Sequence, residues 1–124
     1  MKITGFNPLI LTPNQETVVQ TFEALGFTQS HSLKTEVGGF DLNVARMKSD
    51  GGFHVDVADV QAVPQDMTLI RMNVDNFDEA YAILKEQGFV NLAGEDNTAS
   101  TASAKAATLA SPTGFQISLI EHIK

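Results

Sequence analysis

The chain has 124 residues, enough for one domain that buries about two thirds of its unfolded surface, and with 43% hydrophobic and 19% charged residues it reads as an ordinary globular protein. Fifteen acidic against eight basic residues give a net charge of −7 with no basic block, which argues against a nucleic-acid partner and suits a neutral or cationic small ligand. The absence of cysteine removes disulfides, thiolate metal sites and a cysteine nucleophile; no apolar run reaches the roughly 20 residues of a membrane span, and Met1-Lys2-Ile3-Thr4-Gly5 does not read as a signal peptide, so a cytoplasmic protein with no membrane partner is expected.

Ile3 to Leu11 reads as a first strand, and Asn14 as the cap of a helix over Gln15 to Leu25, where Val18, Val19, Phe22 and Leu25 form one apolar stripe that Gly26 ends. Thr28 to Glu36 is a polar strand, Val37-Gly38-Gly39 a turn, and Phe40 to Met47 a strand in which Phe40, Leu42 and Val44 alternate with Asp41, Asn43 and Ala45. Ser49-Asp50-Gly51-Gly52 is a hairpin signal, after which Phe53, Val55 and Val57 alternate with His54, Asp56 and Ala58. Asp59 to Asp66, containing Pro64, reads as a linker. Thr68 to Val74 is again a strand, Asn76 again a cap with Glu79 three residues on, and the following helix ends at Gly88. Val90 to Ala110 has little periodicity and takes two strands by analogy with the first half; Ser111-Pro112-Thr113-Gly114 is a turn before a last strand from Phe115 to Ile120.

The order repeats because the chain does. Gly26-Phe27 recurs as Gly88-Phe89 and Gly52-Phe53 as Gly114-Phe115, each 62 residues later (88 − 26 and 114 − 52), half of the 124 residues. One domain made of a first module (1–60), a linker (61–66) and a second module (67–124), each β-α-β-β-β, follows.

Two such modules in so short a chain, with Phe22-Glu23-Ala24-Leu25-Gly26-Phe27 at one helix end and Ser111-Pro112-Thr113-Gly114-Phe115 at the last turn, resemble the vicinal oxygen chelate superfamily of glyoxalase I, extradiol dioxygenases and bleomycin resistance proteins. The resemblance covers Ile3 to about Ile120 and implies an α+β fold in which mixed sheets curl around a central cleft with the helices outside. Strand parity then puts Phe6, Pro8, Ile10, Val55, Val57, Ile70, Met72, Val74, Ile117 and Leu119 under the helices. The opposite parity gives candidate ligand-binding residues Asn7, Asp41, Asn43, His54, Asp56, Arg71, Asn73, Gln116 and Ser118, with Leu9, Leu11, Met47 and Ile120 as apolar wall.

Metal-using members of that superfamily place ligands in each first and each last strand, positions that fall here on Asn7, Leu69, Asp56 and Ser118. Of these only Asp56 is a good ligand, so neither a metal nor a cofactor is expected; an irregular set of His54, Asp56 and Asn7 is the remaining possibility. His31 and His122 are expected to be solvated. Arg71 interrupts an apolar strand and suits a carboxylate, phosphate or enolate, or pairing with Asp56, while Asp41 and Asp56 together suit a cation. The implied function is binding of a small organic molecule by a homodimer, as in bleomycin resistance proteins. The alternatives are an enzyme of lyase, isomerase or dioxygenase type with a non-standard site, and a degenerate module that serves protein interaction.

Overall fold

The structure, a computed structural model, describes residues 1–37, 40–95, 97–100 and 104–122. In chain order its elements are β1 (Ile3–Thr12), α1 (Gln15–Ala24), β2 (Thr28–Val37), β3 (Phe40–Lys48), β4 (His54–Asp59), β5 (Met67–Val74), α2 (Phe77–Glu86), β6 (Val90–Asn91), β7 (Ala99–Ser100), β8 (Ala104–Ala110) and β9 (Gln116–His122). The class is α+β. Among the described residues no helix is long and apolar enough to cross a membrane. The expected turn at Gly38-Gly39 lies outside the described residues.

Contacts divide the chain into two compact units, one of Asn7–Thr35 and Asp41–Leu69, the other of Met1–Phe6, Glu36–Phe40 and Ile70–Lys124. In the first unit the strand order is β2-β3-β4-β1, with β3 antiparallel and β1 parallel to β4. Helix α1 lies over this sheet, and Val18, Val19, Phe22 and Phe27 pack on Ile10, Met47, Val55 and Val57. In the second unit β5 runs parallel to β9, β8 antiparallel to β9, and β6 and β7 pair with β8. There Phe77, Ala80 and Tyr81 of α2 pack on Val74, Ala107, Leu109, Ile117 and Leu119.

The 62-residue repeat is present as repeated hydrogen bonds. Asn14 Oδ1 accepts from Thr17 N at 3.3 Å, and Asn76 Oδ1 from Glu79 N at 3.1 Å. At the helix ends Phe27 N donates to Phe22 O and Phe89 N to Leu84 O, both at 3.0 Å, with Gly26 and Gly88 at φ of 102° and 91°. This is the left-handed helix stop that glycine adopts without steric cost. The two hairpin turns match as well: Ser49 N donates to Phe53 O and Ser111 N to Phe115 O, closed by Gly52 and Gly114 at φ of 85° and 111°. A turn of this kind fixes the register of the strands on either side of it.

Two expectations of parity fail. Phe6 is 63% exposed and Pro8 is exposed too, so neither lies under a helix. A helix of ten residues is about 15 Å long and covers only some four or five strand residues, and α1 covers β1 from Ile10 onward. Met47 faces α1, because the hairpin sets it opposite Val55, and by alternation the exposed Asn43, opposite Asp59, shares that parity. The reason is that Val44, Ala45 and Met47 are all buried: both faces of β3 are covered, and hydrophobicity alone cannot give its phase. In the second half, among the described residues, the place of the long β2 is taken by the short β6 and β7, followed by β8 and β9.

Candidate functional site

Each unit has one sheet face under its helix and one turned the other way, and the second face holds the buried polar side chains Asp56, Arg71, Thr108 and Ser118. In the first unit β4 centres this face on Asp56, opposite Leu9 on β1 and Arg46 on β3. Asp56 is 0% exposed; its Oδ1 accepts from Arg46 Nε at 3.1 Å and its Oδ2 from Asn7 Nδ2 at 3.0 Å and Arg46 Nη2 at 3.4 Å. The Arg46 side chain is 25% exposed, so one partner of the ion pair keeps contact with water. His54, two residues before Asp56, is half-buried, and its Nδ1 has no hydrogen-bond partner among the described residues.

In the second unit the same face carries a row. Arg71 on β5 stands opposite Ser118 on β9, which stands opposite Thr108 on β8, and the three are 1%, 2% and 6% exposed. Among the described residues Thr108 Oγ1 has no hydrogen-bond partner. Asn73, two residues along β5 and therefore on the same face, has a buried Oδ1 likewise unpartnered, and its amide lies against Gly5, where an added Cβ would come within 3.3 Å of Asn73 Nδ2. Gln116 precedes Ser118 by two residues and is half-buried. On the reverse of this sheet Ile70, Met72, Ile117 and Leu119 meet α2, so the polar row has hydrocarbon behind it.

Of the nine residues singled out in the sequence, Asn7, His54 and Asp56 gather in the first unit and Arg71, Asn73, Gln116 and Ser118 in the second. Asn43 does not join them, and the side chain of Asp41, like that of His31, lies outside the described residues. His122 is exposed. Two residues of these faces escaped sequence reading, Arg46 and Thr108. Both stand at the same distance from their turns, and each is 62 residues from the other (108 − 46). A register drawn from the hairpin would have placed Arg46 opposite Asp56, and the repeat would then have pointed to Thr108.

The donor set does not fit a divalent metal. Leu69 is a buried hydrocarbon, and the carboxylate of Asp56 already accepts hydrogen bonds on both oxygens from Arg46 and Asn7. Asn7 turns its amide nitrogen, a donor, toward Asp56. Among the described residues no group of three or more His, Cys, Asp or Glu side chains is placed to hold a metal ion.

No protein-family model matches the sequence, and no curated protein does. Solved structures do match the fold. Glyoxalase I from Zea mays aligns with 97% of this chain at a TM-score of 0.69 and 12% identity, and the chain spans only 43% of that protein's length. A glyoxalase/bleomycin resistance protein/dioxygenase superfamily member from Vibrio splendidus 12B01 aligns over 97% of this chain and 99% of its own at 0.63 and 15% identity. An NAD-dependent benzaldehyde dehydrogenase from Legionella pneumophila aligns over 96% and 100% at 0.68 and 10% identity. The fold is therefore of the vicinal oxygen chelate type. At such identities the likeness is one of fold alone, and the chemistry has to be argued from the side chains.

Proposed function

We propose that this protein binds a small organic molecule on a polar sheet face of the kind described above, without a resident metal. One observation carries the reading: His54 Nδ1, Asn73 Oδ1 and Thr108 Oγ1 are buried on these faces and make no hydrogen bond among the described residues. A buried polar atom left unmet costs about 1–3 kcal/mol, and native proteins meet nearly all of theirs. Polar atoms kept in this state on the face turned away from the helix, beside apolar neighbours such as Leu9 and Ile120, have the character of a ligand site, in which a few fixed hydrogen-bonding groups stand in a mostly apolar wall. The donor set at Asn7, Leu69, Asp56 and Ser118 supports the metal-free part of the reading. The reading also includes a homodimer, since the exposed Phe6, Leu25 and Phe53 offer apolar surface of the kind a second copy covers.

A thermal-shift screen of neutral, anionic and cationic small molecules, with metal analysis of the dialysed protein and light scattering, tests all three parts. The expected results are at least one compound that raises the melting temperature in proportion to its occupancy, metal well below one equivalent, and a mass near twice 13.4 kDa. Absence of any binder to folded protein overturns the binding reading. A full equivalent of metal overturns its metal-free part, and a mass of one chain overturns the dimer.

A further inference from the structure

Asp50-Gly51, in the turn between β3 and β4, is the one place in the sequence where an aspartate or asparagine precedes a glycine. We propose that it is a site of spontaneous covalent modification, at which the folded protein converts Asp50 to isoaspartate through a succinimide. The chemistry needs a main-chain N–H that is free to attack the carboxyl carbon of the residue before it, and no side chain on the attacking residue to bar the approach. Gly51 meets the second need by its identity. It meets the first through the way the turn distributes its bonds: Ser49 N donates to Phe53 O at 2.9 Å, Gly52 N to Ser49 O at 3.0 Å and Phe53 N to Ser49 Oγ at 3.1 Å. Among the described residues Gly51 N and the Asp50 carboxylate make no hydrogen bond, and both residues are exposed, so water reaches them.

In the first step Gly51 N bonds to Asp50 Cγ, and one carboxylate oxygen leaves as water with the proton of that N–H and one from solvent. Water then adds to the imide carbonyl on the Cα side and breaks its bond to nitrogen, which returns both protons and frees the α-carboxylate. The chain now runs through the former side chain. Mass and charge are unchanged, but the backbone is longer by one methylene, inside the ring that the bond from Gly52 N to Ser49 O closes. This turn sets the register that places Lys48 opposite His54, Met47 opposite Val55 and Arg46 opposite Asp56, so its modification loosens the hairpin that carries the Arg46–Asp56 ion pair. The second unit holds a natural control. Ser111 N donates to Phe115 O at 2.8 Å and Gly114 N to Ser111 O at 3.1 Å in a matching turn, yet Pro112 and Thr113 stand there in place of Asp50 and Gly51 (112 − 50 and 113 − 51 are both 62). Proline offers no carboxyl carbon to attack.

The test is incubation of folded wild type in neutral buffer at physiological temperature, sampled over weeks. Isoaspartate is located by digestion, peptide fragmentation and methyl transfer from labelled S-adenosylmethionine by an isoaspartyl methyltransferase. A variant carrying Asp50→Pro and Gly51→Thr copies the turn of the second unit; the new Cβ lies 3.1 Å from the Phe53 ring, which is 73% exposed and has room to swing away. Asp50→Asn keeps the native turn and reaches the same imide with loss of ammonia. The expected result is isoaspartate at Asp50 at least about tenfold above that at any other aspartate, none at that turn in the double variant, and faster accumulation in Asp50→Asn. Aged wild type is expected to melt below fresh protein. An Asp50 that stays intact in the folded chain, while a peptide of residues 46–56 isomerises under the same conditions, shows that the turn protects the step and overturns the proposal. Isoaspartate spread evenly over the exposed aspartates, or none in either sample, overturns it as well. Accumulation at Asp50 with unchanged melting overturns the loosening of the hairpin.

Discussion

The two units have the same backbone solution and different polar side chains on it. Helix cap, helix stop and hairpin turn repeat bond for bond 62 residues apart (76 − 14, 89 − 27, 115 − 53). Yet where the first unit has Asp56, its repeat position is Ser118; Leu9 corresponds to Arg71, Arg46 to Thr108 and His54 to Gln116. The acid in the first unit meets a base on the neighbouring strand, so its charge is compensated within the sheet. In the second, Ser118 and Thr108 stand in register with Arg71, and Asn73 Oδ1 has no hydrogen-bond partner among the described residues. The comparison teaches that the turn and cap residues specify the frame, whereas side chains on the face away from the helices are free to take different chemistry in each copy.

The helices differ too, and here the largest effect is expected. At the first position of α2 stands Phe77, fully buried, its ring 5.6 Å from that of Tyr81 and its N–H donating to Glu121 Oε1. The equivalent residue of α1 is Gln15, which instead ties the helix to the sheet through Nε2, donating to Val57 O at 2.9 Å and Asn43 O at 3.0 Å. Phe77→Ala is expected to cost about 3–5 kcal/mol by urea denaturation and Gln15→Ala about 1–2. Equal costs would mean that the two helices are anchored alike after all.

Next comes the charge contrast. Asp56→Ala leaves Arg46 without its carboxylate; because that arginine retains some exposure, a loss of about 2–4 kcal/mol is expected, somewhat below that for breaking a fully buried pair. Ser118→Ala, at the repeat position, should cost about 1 kcal/mol or less, since it removes one hydroxyl and leaves no charge stranded. Denaturation of Asp56→Ala, Arg46→Met and the double variant gives the coupling energy. A value near zero would sink the view that the first unit is held by this pair.

How much of this could be seen in the sequence depends on which physical signal each feature leaves. Gly26, Gly88, Gly52 and Gly114 were legible because positive φ at a helix stop or turn nearly demands glycine, and a demanded residue recurs at a fixed offset. The parity of β4, β5 and β9 was legible because only one face of each carries a continuous apolar series. The parity of β3 was not, since Val44 and Met47 are buried on opposite faces, and with it Arg46 was lost. Thr108 was hidden in a run of Ala, Ser and Thr whose strand character comes from pairing with β9, not from its own pattern. Phe6 looked like core because alternation says which way a side chain points and not how far the covering helix extends.

The smallest effect is a difference between two glycines that are equivalent in conformation. Gly26 and Gly88 both need a left-handed backbone, with φ of 102° and 91°, so alanine at either position is strained by about 1–2 kcal/mol. Their surroundings differ. A Cβ on Gly26 would meet nothing within 4 Å, whereas one on Gly88 would lie 2.8 Å from Cγ of Pro112, in the turn that precedes β9. Real carbon atoms do not approach so closely, and the proline ring has little freedom to yield because Ser111 Oγ beside it accepts from the N–H groups of Thr113, Gly114 and Phe115 at 3.2, 2.9 and 3.1 Å. Gly88→Ala should therefore be the worse of the two by about 1 kcal/mol, within the usual range for overpacking. Pro112→Ala in the Gly88→Ala background should recover most of that excess and do nothing for Gly26→Ala. If the two alanine variants unfold at the same urea concentration with equal slopes, the turn does not brace the helix stop in the second unit, and at this point the two copies are alike in packing as well as in backbone.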